Sequence, residues 1–150
     1  MIKIVENQQE IIFLWQEAFG DSKEDILFFI NNAENASCLG VYAGDELASM
    51  LFAVDCVCKG KKAIYVYAAC TLKKYRSKGY MSQLLDFVKN IHEAVCLIPA
   101  SKELDEFYRK RDFTKVVQLN DIAFNEIKEI KEYLFEGSTL DEPYARLYGG

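Results

Sequence analysis

The sequence predicts an α/β fold: a mixed, mostly antiparallel central sheet flanked by helices, with one parallel strand–helix–strand crossover. Three observations predict it. Apolar runs over residues 38–43, 46–57 and 63–71 are separated by the turn residues Gly44-Asp45 and Lys59-Gly60, which reads as an antiparallel meander. Met81, Leu84, Leu85, Val88 and Ile91 then mark one face of an amphipathic helix. Residues 94–98 are short and continuously apolar, as in a strand covered on both faces. A fourth strand, third helix and fifth strand in this spacing form a parallel crossover, expected to be right-handed.

The other elements follow in order. Residues 2–5 read as a first strand. Ile11, Ile12, Leu14, Trp15, Ala18 and Phe19 fall at helical spacing over residues 8–19, and Gly20 ends that helix. Ser22 to Asp25 opens a second helix, running to about residue 33, with a capping-box pattern. Pro99 stops the fifth strand, and Ser101 caps a short helix through residue 111. Residues 116–119 and 122–124 read as closing strands around Asn120-Asp121. Residues 126–135 read as a charged helix, and residues 137–150 have weak periodicity. No repeat, low-complexity tract or linker divides the chain, so residues 1–150 are expected to form a single domain.

Composition narrows the function classes. With 23 Asp+Glu against 18 Lys+Arg the net charge is −5, which argues against general nucleic-acid or membrane-surface binding. The start Met1-Ile-Lys-Ile lacks a signal-peptide pattern, and no apolar run approaches the ~20 residues of a membrane span. Cys38, Cys56, Cys58, Cys70 and Cys96 mostly lie in apolar strand-like runs, which fits reduced, buried thiols in a cytoplasmic protein. Cys56-Val-Cys58 has no metal-pair spacing and no Cys/His partners, so no metal is expected; two thiols on one strand face is the simpler reading.

Against this acidic background, Lys73, Lys74, Arg76 and Lys78 put four cations within six residues. They flank Arg76-Ser-Lys-Gly-Tyr-Met81, a turn between a strand and a helix. Such a turn leaves backbone N–H groups without helical partners at the positive end of the helix dipole. A phosphate-bearing ligand is the expected occupant. Neither G-x-G-x-x-G nor a Walker loop is present, which disfavours dinucleotides and nucleoside triphosphates.

The stretch Tyr75-Arg-Ser-Lys-Gly-Tyr-Met-Ser-Gln-Leu-Leu85, then Leu97-Ile-Pro-Ala-Ser101 and Phe107-Tyr-Arg-Lys-Arg-Asp-Phe113, resembles the two characteristic motifs of the GCN5-related N-acetyltransferase (GNAT) superfamily. The strand Tyr65-Val-Tyr-Ala-Ala-Cys-Thr71 makes the resemblance closest to acetyltransferases of the enhanced-intracellular-survival type. Met81 replaces a usually small residue, Ser101 a common Asn, and Asp112 a usual Gly; Asp112 is expected in the left-handed region. Relatives of the survival type are often longer, with a further domain that a chain ending at Gly150 is expected to lack.

The resemblance implies an acetyl-CoA-dependent N-acetyltransferase acting on a small-molecule or peptide amine, with acetyl-CoA as cosubstrate. It implies that the backbone of Ser77, Lys78, Gly79, Tyr80, Met81 and Ser82, with Arg76, holds the pyrophosphate. It places Ala69, Cys70 and Thr71 along the pantetheine arm, with Ser101 also at the cofactor. It gives Tyr108 the role of protonating the leaving thiolate. That role is chemically reasonable, since a phenol of pKa about 10 can donate to a thiolate of pKa about 8.5 or higher. Cys70, with no histidine near in sequence, reads as inert, in keeping with the family's direct transfer.

The general base is not evident. The strand over residues 64–71 has no carboxylate, Glu46 and Asp55 read as solvent-facing, and His92 reads as a helix-end residue. Survival-type relatives imply a C-terminal carboxylate, here that of Gly150. Trp15, Phe28, Phe29, Tyr65 and Tyr67 are candidates for an acceptor pocket, although core is the simpler reading. The alternative function is a non-catalytic acyl-CoA-binding or interaction module of the same fold. An exposed edge strand near the C-terminus would allow a homodimer.

Overall fold

Strand alternation sorts the apolar residues into two cores, one on each side of a sheet. The computed structural model describes residues 1–150, and its chain order is β1 (Ile2–Ile4), α1 (Gln8–Phe19), α2 (Lys23–Asn32), β2 (Ala36–Ala43), β3 (Glu46–Cys58), β4 (Lys61–Thr71), α3 (Tyr80–Ile91), β5 (Ala94–Leu97), α4 (Lys102–Arg109), β6 (Lys115–Val117), β7 (Ile122–Phe124), α5 (Lys128–Phe135) and β8 (Ala145–Gly149). The sheet order is β1-β2-β3-β4-β5-β8-β6, with β7 paired to the far end of β3. Only β4 and β5 are parallel. Ala63 and Tyr65 of β4 and Cys96 of β5 point into the core shared with α1, α2 and α5. Ile64, Val66, Val95 and Leu97 point into the core shared with α3 and α4. The predicted fold class therefore holds, and β5 is buried at every position.

The helix ends are set by local chemistry. Asn7 accepts a hydrogen bond from the Glu10 N–H at 3.2 Å, and Gly20 at φ 73° closes α1. Ser22 accepts from the Asp25 N–H at 3.1 Å, as the capping pattern predicts. Leu84, Leu85 and Val88 anchor α3 and are fully buried. Each such side chain contributes roughly 1.5–3 kcal/mol by leaving water.

Three expectations change. The strands around Asn120-Asp121 do not pair with each other. A 3-10 turn at Leu119–Asp121 carries the chain across, so β6 pairs with β8 while β7 pairs with β3. The weakly periodic tail contains β8, which lies between β5 and β6 and is therefore not an edge strand. The edge there is three-residue β6, with Val116 exposed. Finally, α4 ends at Arg109 and α5 begins at Lys128, both shorter than predicted.

One ion pair ties the helix that carries Tyr108 to the sheet. The Arg146 guanidinium on β8 donates to both Asp105 oxygens, at 2.8 and 3.2 Å, and both side chains are largely buried. The hydrogen bonds from Arg146 hold the Asp105 carboxyl below its usual range. A carboxyl depressed in the folded state stabilises above its unfolded pKa, and that contribution is lost as pH falls through the folded value. Asp105→Ala is expected to lower unfolding free energy by about 2–3 kcal/mol at neutral pH, because Arg146 loses its counter-charge. Urea unfolding across the acid range checks this, and the variant should show a shallower loss of stability below pH about 4.

Candidate active site

β4 and β5 pair only at Ile64↔Val95 and Tyr65↔Cys96. Beyond those pairs the parallel strands separate, and the rest of β4 has no sheet partner on that side. Near the same point β4 is bulged against β3. Its register jumps from Phe52↔Tyr67 to Met50↔Cys70, so Ala68 and Ala69 stand opposite the single residue Leu51. Ala68 takes φ 54°, a left-handed conformation that is uncommon for alanine. A bulge leaves one backbone unit outside the ladder and bends the strand. It also shifts parity: Tyr65 and Tyr67 face the α1 side before it, and Cys70 does so after it.

The turn after β4 has the geometry the sequence suggested. A 3-10 turn at Lys73–Tyr75 leads to Ser77 at φ 63° and Gly79 at φ 85°, and α3 starts with no side-chain cap. The first N–H groups of α3 are therefore available to a ligand. The Arg76 side chain donates to the Thr71 carbonyl at 3.3 Å. Lys74 pairs with Glu46 at 2.7 Å, and the Tyr75 hydroxyl donates to the same carboxylate at 2.9 Å. These bonds hold the Glu46 carboxyl below its usual range.

A cleft of about 620 Å³ runs from this turn to the β4 bulge. Ala69, Cys70, Thr71, Arg76, Ser77, Gly79, Tyr80, Met81, Ser82 and Tyr108 all line it, so one cleft gathers ten of the twelve predicted site residues. The other two lie elsewhere. Lys78 is exposed and does not line the cleft. The Ser101 hydroxyl accepts from the Leu104 N–H at 3.2 Å, so it is engaged as the α4 cap.

Tyr108 sits where this cleft meets a second cavity of about 270 Å³, and it lines both. Burial pushes its phenol up to about 12, with Cys70 adding to the rise and Arg111 opposing it. It is therefore a neutral proton donor throughout the physiological range. Burial also pushes the Cys70 thiol well above its ordinary value, so the thiolate needed for nucleophilic attack is disfavoured. All five cysteines are free and buried.

Three features of the cleft were not singled out from sequence. Arg111 lines it, donating to the Ser82 hydroxyl at 2.8 Å and to the Phe107 carbonyl at 2.9 Å, with its guanidinium 3.5 Å from the Phe107 ring centre. It ties the end of α4 to the start of α3. Phe19 and Leu104 line both cavities and are partly exposed. The Ala68 bulge has no sequence signal, because alanine does not advertise a left-handed φ. Asp112, by contrast, takes φ 74° as expected of a residue in place of glycine.

The candidate bases are also placed. Asp55 lies on the distant half of β3, and His92 caps the end of α3 remote from the cleft. Gly150 donates its N–H to the Glu93 carbonyl at 3.3 Å, at the start of β5 and away from the cleft, so it does not stand at Tyr108. Of the candidate pocket aromatics, Trp15, Tyr65 and Tyr67 line the second cavity, whereas Phe29 is core. No group of three or more Cys, His, Asp or Glu is arranged to hold a metal. No helix is long and apolar enough to cross a membrane.

Comparison with known proteins agrees with this fold. No protein of curated function matches the sequence. A Bacillus subtilis acetyltransferase solved with CoA has the same fold at TM-score 0.60 and 18% identity, over 99% of this chain and 96% of its own. A candidate GNAT-family acetyltransferase from Bacteroides thetaiotaomicron gives TM-score 0.61 at 12% identity, over 100% of this chain and 87% of its own. A candidate N-acyltransferase from Enterococcus faecalis V583 gives TM-score 0.58 at 21% identity, over 73% of this chain. This chain spans only about a third of that protein's length (31%). The family model described as an acetyltransferase (GNAT) domain matches residues 5–116, well over half of the sequence, and that range includes every residue lining the cleft. The chain belongs to the GNAT acetyltransferase domain family.

Proposed function

We propose that this chain is an acetyl-CoA-dependent N-acetyltransferase that transfers acetyl directly to an amine. The observation that carries the reading is a single cleft joining the uncapped α3 N-terminus, the unpaired edge of β4 and Tyr108. Coenzyme A fits that sequence of chemistries: an anionic head for the helix N-terminus, then an amide-bearing arm for a free strand edge. The CoA-bound B. subtilis neighbour supports the same cosubstrate by analogy of fold.

In this reading the N–H groups of residues 77–82 and the Arg76 guanidinium hold the pyrophosphate. The unpaired backbone of Ala69 to Thr71 runs along the pantetheine amides. A strand N–H released at the Ala68–Ala69 bulge faces the thioester oxygen and stabilises the charge that develops there. The amine nitrogen bonds to the acetyl carbon, the carbon–sulfur bond breaks, and Tyr108 gives its proton to the sulfur. The proton lost by the amine leaves through water in the second cavity, and Tyr108 is reprotonated from solvent. Burial of the five thiols supports a reducing compartment such as the cytoplasm.

Thiol release from acetyl-CoA, followed across a panel of primary amines, tests the activity. Amine-dependent release is expected. Arg76→Ala should raise the KM for acetyl-CoA about tenfold through a lost charge-assisted contact. Coenzyme binding with no transfer to any amine would instead identify a non-catalytic acyl-CoA-binding module.

A further inference from the structure

The charged side chains that line the coenzyme cleft are Arg76 and Arg111, and no carboxylate lines it, although the chain carries a net charge of −5. The basic turn supplies less charge to the cleft than its sequence suggests. Lys74 is paired with Glu46, and neither Lys73 nor Lys78 lines the cleft. Arg76 is the one cation of that turn at the ligand. The second comes from the other side, at the end of α4, about thirty residues further along the chain.

Arg111 is in no ion pair. It is nonetheless held on three sides. Its Nε donates to the Ser82 hydroxyl at 2.8 Å, one of its terminal nitrogens donates to the Phe107 carbonyl at 2.9 Å, and its guanidinium lies 3.5 Å from the Phe107 ring centre. A guanidinium has five N–H donors, so these two bonds leave donors and the whole positive charge unmatched. Ser82 is in the first turn of α3, so its bond brings that charge beside the uncapped helix N-terminus. A fixed fork of donors suits a phosphate better than a mobile ammonium does, because little freedom is lost on binding.

Resting on the acetyl-transfer reading above, we propose that Arg111 is a second phosphate ligand of the coenzyme, holding the pyrophosphate from the α4 side while Arg76 holds it from the β4 side. The same residue bears on the chemistry. Its backbone N–H donates to the Tyr108 carbonyl at 2.9 Å, so a pyrophosphate gripped by Arg111 also steadies the turn that follows the proton donor. The competing role is a plain tie between α3 and α4, with no contact to ligand.

Calorimetric titration with coenzyme A and with dephospho-coenzyme A, which keeps the pyrophosphate and lacks the 3′-phosphate, separates these roles. Arg111→Leu keeps an apolar group on Phe107 and is expected to bind both ligands about tenfold more weakly. Ser82→Ala cuts the tie and leaves the guanidinium, so its affinity should stay within about threefold of wild type. Added salt should weaken wild-type binding more steeply than binding to Arg111→Leu. Circular dichroism verifies the folds, and Arg111→Gln, which keeps a donor and drops the charge, replaces the leucine variant if that one is unfolded. Undiminished affinity in the Arg111 variant would overturn the proposal, as would an equal loss in Ser82→Ala, which is the mark of a tie alone. A loss seen with coenzyme A and absent with dephospho-coenzyme A would move the contact to the 3′-phosphate and overturn the pyrophosphate assignment. Wild-type protein that binds neither ligand would overturn the acetyl-transfer reading itself, an outcome distinct from wild-type binding that the Arg111 variant retains in full.

Discussion

Tyr108→Phe is expected to lower kcat about a hundredfold while coenzyme A affinity stays within about twofold. The loss corresponds to a barrier raised by about 2.7 kcal/mol. The argument is positional and electrostatic together. The ring is buried at the junction of two cavities, so Phe fills the same space, and only the proton donor is removed. Burial pushes the phenol up to about 12, so it is protonated below that pH and can donate. The kcat profile should therefore show no alkaline decline from Tyr108 below pH about 11. Steady-state kinetics of both proteins across pH checks both points. An unchanged kcat in the variant would remove Tyr108 from the mechanism.

Met81→Glu is expected to weaken coenzyme A binding about a hundredfold and to lower stability by no more than about 1 kcal/mol. Met81 lies in the first turn of α3 and lines the cleft. Met81 is partly buried against the core under α3, and the favourable effect of the helix dipole on a first-turn carboxylate offsets part of the packing that Glu loses. The same carboxylate would face a bound pyrophosphate. Two like charges about 4 Å apart at a protein surface repel by a few kcal/mol, of the order of two decades in affinity. Calorimetry and thermal melting together separate the two effects. A variant that lost affinity together with more stability than that would point to a packing defect instead.

The parts of this site that the sequence revealed share one property: their signals are local. Ser22, Gly20 and Ser101 announce caps within three or four residues, and the α3 face repeats every turn. The basic turn at Arg76 to Met81 combines charge and glycine in six residues. The parts that stayed hidden depend on partners distant in sequence. β8 has five residues and is defined by pairing with β5 and β6, so its own periodicity was too short to read. The Ala68 bulge exists because β4 must satisfy β3 on one side while departing from β5 on the other. Arg111 reads as one more charge in Arg109-Lys-Arg111 until the fold brings it against Ser82. The second cavity is lined from α1, β4, β5, α4 and α5, and no window of sequence contains it.

Anchoring of α4 links stability to chemistry. Asp105 and Arg146 fix it to β8, and Arg111 fixes its end to α3. Loss of either tie should loosen the position of Tyr108 as well as the fold.

The most direct test is calorimetric titration of the protein with acetyl-CoA and with free coenzyme A. The account predicts saturable micromolar binding of both, at one site per chain. The absence of binding at millimolar ligand, with the protein shown to be folded, would contradict it.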